Sequence, residues 1–453
     1  MNFVHRLLPP TMTHEASLQA PRRRSATAKL SGLALAACLC LWALPGASAA
    51  AEPQPASWLD AATGRRIVRI DDSPGNYALY FNYSPFTPQG DLMIYLTPEG
   101  IRVADTRTWQ TRLVLKASVD RLLFTGPKTR NAYYTLRDAA VEEGGPFSVW
   151  SVDLDTGKMR QVADLPGGRV QSINADETLL AGAYETAPAP PEIASQGRRD
   201  PVTGSPSYAG VGADGKPLSF AAAKGKWMAD RLAARVPMEM YSVSIATGER
   251  RAIHRATDWL NHLLFSPSDP TLLMFCHEGP WHEVDRIWTI RTDGSQLTKV
   301  HTRTMAGEIA GHEFWGSDGR TVWYDLQMPR GGTTWLTGRN LGTGEQWRYE
   351  VKKDQASYHF LQSPDGQSFS GDGGNAGKWI SVFKPATREK PVPGLITPGW
   401  LESIRVADLG KQDYTLEPNQ HFTPDGKWLV YRANVEGRPA IYAVELPGAG
   451  AAP

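Results

Sequence analysis

A short phrase returns again and again along this chain: a Pro or polar turn, usually with Asp-Gly, followed by an alternating apolar strand. It appears as Thr87-Pro-Gln-Gly-Asp-Leu-Met-Ile-Tyr, Asn174-Ala-Asp-Glu-Thr-Leu-Leu-Ala and Ser266-Pro-Ser-Asp-Pro-Thr-Leu-Leu-Met-Phe. Further copies are Gly316-Ser-Asp-Gly-Arg-Thr-Val-Trp-Tyr, Ser363-Pro-Asp-Gly-Gln-Ser-Phe and Thr423-Pro-Asp-Gly-Lys-Trp-Leu-Val-Tyr, with a weaker one at Gly126-Pro-Lys-Thr-Arg-Asn-Ala-Tyr-Tyr. Asp269, Asp318 and Asp365 stand 49 and then 47 residues apart. That period suits one four-stranded blade of ~40–50 residues. With the weak copy included, the repeats predict an all-β chain folded as a seven-bladed β-propeller.

A second phrase follows many of these turns, in which Gly supplies the positive φ of a hairpin: Val152-Asp-Leu-Asp-Thr-Gly-Lys, Val243-Ser-Ile-Ala-Thr-Gly-Glu and Asn340-Leu-Gly-Thr-Gly-Glu. Near the start, Asp60-Ala-Ala-Thr-Gly-Arg-Arg-Ile-Val-Arg-Ile carries the same turn, and near the end Ile441-Tyr-Ala-Val-Glu-Leu is the strand without its hairpin. The two halves predict a ring closed by pairing the N-terminal strand with the C-terminal blade, which leaves no free edge. The propeller domain is expected over 52–449, interrupted by an insertion at about 186–238 that is rich in Pro, Gly and Ser and ends in a short helix around Lys226–Arg235. So long a loop serves function or is a disordered surface excursion.

Residues 1–50 read as an N-terminal extension and secretory signal. Arg22, Arg23, Arg24 and Lys29 precede an apolar stretch, Leu30 to Leu44, and Ala47-Ser48-Ala49 offers a cleavage site. Leu35-Ala36-Ala37-Cys38 also matches a lipoprotein cleavage box. An exported, periplasmic protein follows, with secretion or a lipid anchor as the alternatives and no membrane-spanning segment after signal removal. Cys276 is then the last of three cysteines, so no internal disulfide can form. A formal net charge of +1 provides no global field for nucleic acid, which is not expected as a partner. Any anionic ligand must be held by a local cluster.

Six of the ten histidines fall within residues 254–312. Three phrases stand out beside repeat strands: Phe275-Cys-His-Glu-Gly-Pro-Trp-His-Glu-Val-Asp-Arg-Ile-Trp, Gly311-His-Glu-Phe-Trp and Ser357-Tyr-His-Phe-Leu. On successive blades they would converge on the axis. Two decoys are set aside. Gly210-Val-Gly-Ala-Asp-Gly has the dinucleotide pattern without a preceding strand, and no Gly-x-Ser-x-Gly elbow is present.

These phrases, together with Asp365-Gly, Gly371-Asp-Gly and the closing Phe422-Thr-Pro-Asp-Gly, resemble the signature blocks of the oligogalacturonate lyases, polysaccharide lyase family 22. The resemblance implies β-elimination on short acidic oligosaccharides with a divalent metal, Mn foremost and Ca or Mg as alternatives. By motif position it implies that His312 is the general base, Arg286 the catalytic arginine and His359 a metal ligand. In the family, further ligands include two histidines of a His-Pro-His phrase and a glutamine. Here an ungapped match places Glu417 and Asn419 on the histidine positions and Tyr414 on the glutamine. His277, His282, Tyr414 and His421 are expected to border the substrate.

The residue types suit the chemistry. Elimination in a 4-linked uronide removes the C5 proton beside the carboxylate and expels the sugar on O4. Developing charge on that carboxylate calls for a guanidinium fork or a metal, and an imidazole titrating near ~6.5 can take the proton. The sequence alone leaves Arg286 open to a plain ion pair with Asp285 or Glu283. It also leaves two other readings: a catalytically silent periplasmic propeller acting as a scaffold, or a lyase for another uronide such as rhamnose–glucuronate.

Overall fold

The computed structural model describes residues 55–138, 141, 145–194, 196–199 and 206–448. The segment read as a secretory signal lies outside these residues. The described residues are nearly all β, laid down as short antiparallel meanders. One runs Arg121–Thr125, Asn131–Leu136, Phe147–Asp153 and Met159–Leu165. The next runs Arg169–Ile173, Leu179–Glu185, Met238–Ser244 and Arg250–Ala256. A third comprises Trp259–Phe265, Leu272–Glu278, Ile287–Arg291 and Thr298–Lys299.

Two further meanders, Ile309–Trp315 through Gln346–Val351 and Phe360–Gln362 through Ile396–Asp408, merge into one eight-stranded sheet. They merge because the strand Ile396–Asp408 starts early and pairs in parallel with Gln346–Glu350. Near the N-terminus, Leu92–Thr97, Gly100–Asp105 and Thr111–Lys116 form a three-stranded sheet. The pairing expected of the two chain ends is present: Arg66–Asp71 lies antiparallel to Ala440–Glu445, with Val68 opposite Ala443.

The turn phrases do the work their composition suggests. Gly157, Gly248 and Gly344 close their hairpins at φ of 69°, 73° and 76°, conformations that cost Gly little and other residues more. The Pro-Asp-Gly turns also lace neighbouring meanders together. Ser266 Oγ donates to Gly319 O at 2.6 Å, and Ser317 N donates to Gln362 Oε1 at 2.9 Å.

Apolar faces interleave between consecutive meanders. Phe124, Tyr133 and Val149 pack with Leu180, Tyr241 and Val243; Ala183 and Met240 pack with Leu263, Phe265 and Phe275. Met274 and Ile287 meet Val322 and Leu326, and Phe314 and Trp323 meet Phe360 and Phe383. The succession continues through Ile380 and Val406 against Leu429 and Tyr442, then Val68 and Trp428 against Met93 and Tyr95. It returns through Leu92 and Ile94 to Leu122 and Tyr134. Each of these meanders thus packs apolar side chains on both faces, which removes the solvated face an isolated antiparallel sheet would keep.

The insertion follows Glu185 and carries a 15-residue helix, Phe220–Ala234. Ser219 caps it by accepting from Ala222 N, and Arg235 ends it in the left-handed conformation. The helix is not a free excursion: Trp227 meets Trp259 at 4.9 Å, and Arg231 pairs with Glu185 at 2.6 Å. Among the described residues, no helix is long and apolar enough to cross a membrane.

Candidate active site

The site begins with a backbone irregularity that occurs twice. Strand Trp259–Phe265 slips register against its neighbour between Asn261 and Leu264, and strand Ile309–Trp315 does so between Gly311 and Phe314. Within each bulge the histidine adopts a left-handed backbone, His262 at φ 48° and His312 at φ 49°. A non-glycine residue held this way costs about 1–3 kcal/mol. The bulge re-aims the side chain out of the regular alternation. His312 Nδ1 then reaches Asp325 Oδ1 at 3.0 Å on the adjacent strand, and His262 Nε2 reaches Glu278 Oε2 at 3.2 Å on its own neighbour.

Arg286 is buried beside them. Its Nη1 donates to Glu278 Oε1 at 2.6 Å, its Nε to Glu313 Oε2 at 3.0 Å and its Nη2 to Glu313 Oε1 at 3.4 Å. Asp285 and Glu283 are not its partners; Asp285 binds Lys299 and Arg303 instead. Burial works against the guanidinium charge, but Cys276, Glu278 and Glu313 hold its pKa well above the ordinary value. Burial likewise raises the two glutamates, and the guanidinium overcomes it, leaving both below the usual carboxylate range.

Trp281 joins Arg286 to His312. Its ring lies 4.7 Å under the guanidinium, its edge meets the His312 ring at 5.0 Å, and its indole N–H donates to Glu278 at 3.3 Å. Gly311 is required by this contact, because a Cβ there would come within 2.7 Å of the indole ring.

His359 completes the cluster, with its ring 4.9 Å from that of His312 and stacked on Phe81 at 4.5 Å. Asp372 fixes it twice, accepting from the backbone N–H at 2.8 Å and from Nδ1 at 2.7 Å. The opposite nitrogen, Nε2, is buried with no hydrogen-bond partner and lies 3.9 Å from Glu417 Oε2. Burial opposes charge on this ring, yet Asp372 and Glu417 together raise its pKa.

The remaining expected residues divide. Asn419 is close by, but its side chain serves the backbone: Oδ1 accepts from Phe81 N at 3.2 Å and Nδ2 donates to Glu417 O at 3.1 Å. Asn419, expected as a metal ligand, thus has both side-chain polar atoms engaged by backbone groups. Its neighbour Gln420 is buried, donates to His359 O at 3.2 Å and leaves Oε1 without a partner. Tyr414 spends its hydroxyl on Asp372 O at 3.2 Å. His421 is 3 % exposed and bonds Leu79 O at 3.1 Å, and burial pushes its pKa down to about 4. Tyr414 and His421, expected to border the substrate, each brace the backbone of the site through these bonds.

His277 and His282, expected to border the substrate, lie apart from the contacts that join Arg286, His312 and His359. Strand alternation sends Cys276 and Glu278 toward Arg286 and His277 the other way, between Phe275 and Trp288. His282 sits on the exposed loop with Glu283 at 3.2 Å.

The residues sequence reasoning passed over are His262, Trp281, Glu313, Asp325 and Asp372. A signal for His262 existed: it stands four residues before Ser266, as His312 and His359 stand four before Gly316 and Ser363. Among the described residues, one other set of donors comes close enough to suggest a metal, His262, Cys276 and Glu278. Burial pushes the thiol pKa well up, and the guanidinium on Glu278 repels a cation, so this set does not suit one.

Residues 226–382 match the sequence family of oligogalacturonate lyase. This chain resembles the oligogalacturonate lyases. An oligogalacturonide lyase of Pectobacterium atrosepticum is 28% identical over 220 residues, 45% of this chain and 54% of that protein. An oligogalacturonate lyase of Dickeya dadantii shows the same identity and coverage. The chain thus spans about half the length of the curated relatives it matches.

Two solved lyase structures share the fold. An oligogalacturonate lyase in complex with manganese superposes with a TM-score of 0.66 at 24% identity, over 87% of this chain and 96% of that one. The lyase from Vibrio parahaemolyticus gives 0.67 at 21%, over 87% and 97%. The segment matched to the lyase family holds His262, Arg286, His312 and His359, and ends before the stretch Tyr414–His421 where the sequence departs.

Proposed function

We propose that this chain is a lyase of the oligogalacturonate type, which cleaves short 4-linked uronides by β-elimination. The observation that carries the reading is Trp281, which touches both the Arg286 guanidinium and the His312 ring and so sets arginine and imidazole beside one space. Asp325 accepts from Nδ1 of His312, which leaves the lone pair on Nε2 for the C5 proton. That is a general base with its tautomer fixed from behind.

Three N–H groups of Arg286 are engaged by glutamates and two remain. The remaining pair can meet the substrate carboxylate as charge develops on it, from a position that needs no reorganisation.

A divalent ion fits beside His359. Its unpartnered Nε2, with Nδ1 held by Asp372, has the carboxylate–histidine arrangement that orients a metal ligand. Glu417 and the free Oε1 of Gln420 would complete an oxygen-rich donor set, which suits Mn, Mg or Ca. When bound, such an ion would help neutralise the uronate carboxylate.

The meanders are read as seven blades of one β-propeller. Seven interleaved apolar clusters support this, each between consecutive meanders, and so does the pairing of the two chain ends. The propeller domain spans 52–449, and the signal-like segment 22–51 makes the protein an exported, periplasmic one. Glu417 and Asn419, standing where the family has histidines, favour a uronide other than galacturonate as a second reading of the substrate.

The test is ultraviolet absorbance of the conjugated double bond that elimination leaves, measured on digalacturonate and rhamnose–glucuronate substrates with and without divalent metal. Wild-type protein should produce it and His312→Ala should not. Silence on every uronide removes the proposal.

A further inference from the structure

We propose that His262 is the proton donor to the leaving glycosidic oxygen; this rests on the uronide-lyase reading above. Elimination needs two proton transfers, one from C5 and one to O4. An expelled sugar alkoxide is too basic to leave well without the second. The base is matched by a second imidazole of the same construction. His262 and His312 occupy the same place in consecutive meanders, each in a bulge, each at φ near 50°, and each bonded through one ring nitrogen to a carboxylate on the next strand. The strained backbone is thus spent twice, and strain of this kind clusters where function requires it.

The surroundings of the two dyads differ in composition. His312 has Asp325 behind it, with neutral Trp281 and the His359 ring against its faces. His262 faces Glu278 at 3.2 Å and Tyr80 at 6.0 Å, with the Cys276 thiol close by and Arg286 and Glu313 behind Glu278. Glu278, Arg286 and Glu313 together carry a net charge of −1 on the side of the ring that His262 turns to Glu278.

The step balances. His312 Nε2 takes the C5 proton, the C5–H electron pair becomes the C4–C5 double bond, and the C4–O4 bond breaks with its pair on O4. Nδ1 of His262, the nitrogen not bonded to Glu278, gives O4 its proton; His312 then releases its proton to solvent, and solvent returns one to His262. The products are a 4,5-unsaturated uronide and a free sugar hydroxyl.

The experiment compares His262→Asn and His312→Asn on two substrates, since asparagine tolerates the left-handed backbone. One substrate carries a sugar at O4, the other a 4-nitrophenoxide, which leaves without a proton. Unfolding curves confirm that both variants fold. His262→Asn should slow the sugar substrate by ~10²–10⁴ and the nitrophenoxide by less than ~10-fold, whereas His312→Asn should slow both. Near-wild-type turnover of the sugar substrate by His262→Asn overturns the assignment, and so does an equal loss on both leaving groups. Wild-type protein inert toward both substrates overturns the lyase reading itself, a result distinct from either.

Discussion

Glu313 binds Arg286 at 3.0 Å from the position next to His312 in the chain. One bulge therefore sets His312 and anchors Arg286, with His312 turning to Asp325 and Glu313 turning to the guanidinium. A disturbance of Glu313 reaches both groups.

Removing one member of this buried ion group strands the others. Glu313→Ala or Arg286→Ala should destabilise the fold by ~3–5 kcal/mol. The double variant should lose less than the sum, since the partners are in direct contact. Urea unfolding of the three proteins measures this; strict additivity would mean that the two side chains do not interact.

Acid should unfold the protein through the same group. Glu278 and Glu313 have folded pKa values below the ordinary glutamate value. Their contribution to stability is complete above about pH 4.5 and is lost as pH falls through the lowered folded values. Unfolding free energy measured from pH 7 downward should decline below that point, and Glu278→Gln should flatten the decline while lowering stability at neutral pH. An unchanged slope in the variant would remove Glu278 from the account.

Asp325 should matter through the tautomer of His312. Asp325→Asn can donate to Nδ1 and so move the proton to Nε2, where the base must be free. Turnover should fall by roughly 10²–10⁴ with the thermal midpoint little changed, read by product absorbance and circular dichroism. Full activity in this variant would mean that His312 is not oriented by Asp325.

Gly311→Ala tests whether Trp281 must sit where it does. The added methyl would stand 2.7 Å from the indole ring, so the ring or the strand must shift. A displacement near 1 Å at a reacting group can cost about 10²-fold in rate. Loss of activity with a changed tryptophan fluorescence spectrum is expected.

Metal dependence has its own readout. Elemental analysis of purified protein should find a divalent ion that His359→Ala and Glu417→Gln both lose. Chelation should lower activity, and added Mn should restore it. Equal metal content in wild type and both variants would place the ion elsewhere.

Asp365-Gly and its sister turns declared the repeat in the sequence, because a Gly with positive φ and a side-chain-capped Asp are local requirements that any copy of the turn must meet. The pairing of Arg66–Asp71 with Ala440–Glu445 was legible for a similar reason, since each end carried half of one pattern. His312, Arg286 and His359 could be singled out because their phrases are unusual in wording. What the chain's order could not express is where a side chain spends its polar atoms. Tyr414, Asn419 and His421 look like ligands in sequence, yet each is consumed by a backbone group from a remote segment or a near neighbour. His277 is one residue from Glu278 and faces the opposite side of its strand, and His262, which drew no notice, is turned inward by a one-residue slip in register. Local conformational preference is written residue by residue. The direction of a side chain at a bulge, and the partner it finds there, depend on strands that meet only when the sheets close around one another.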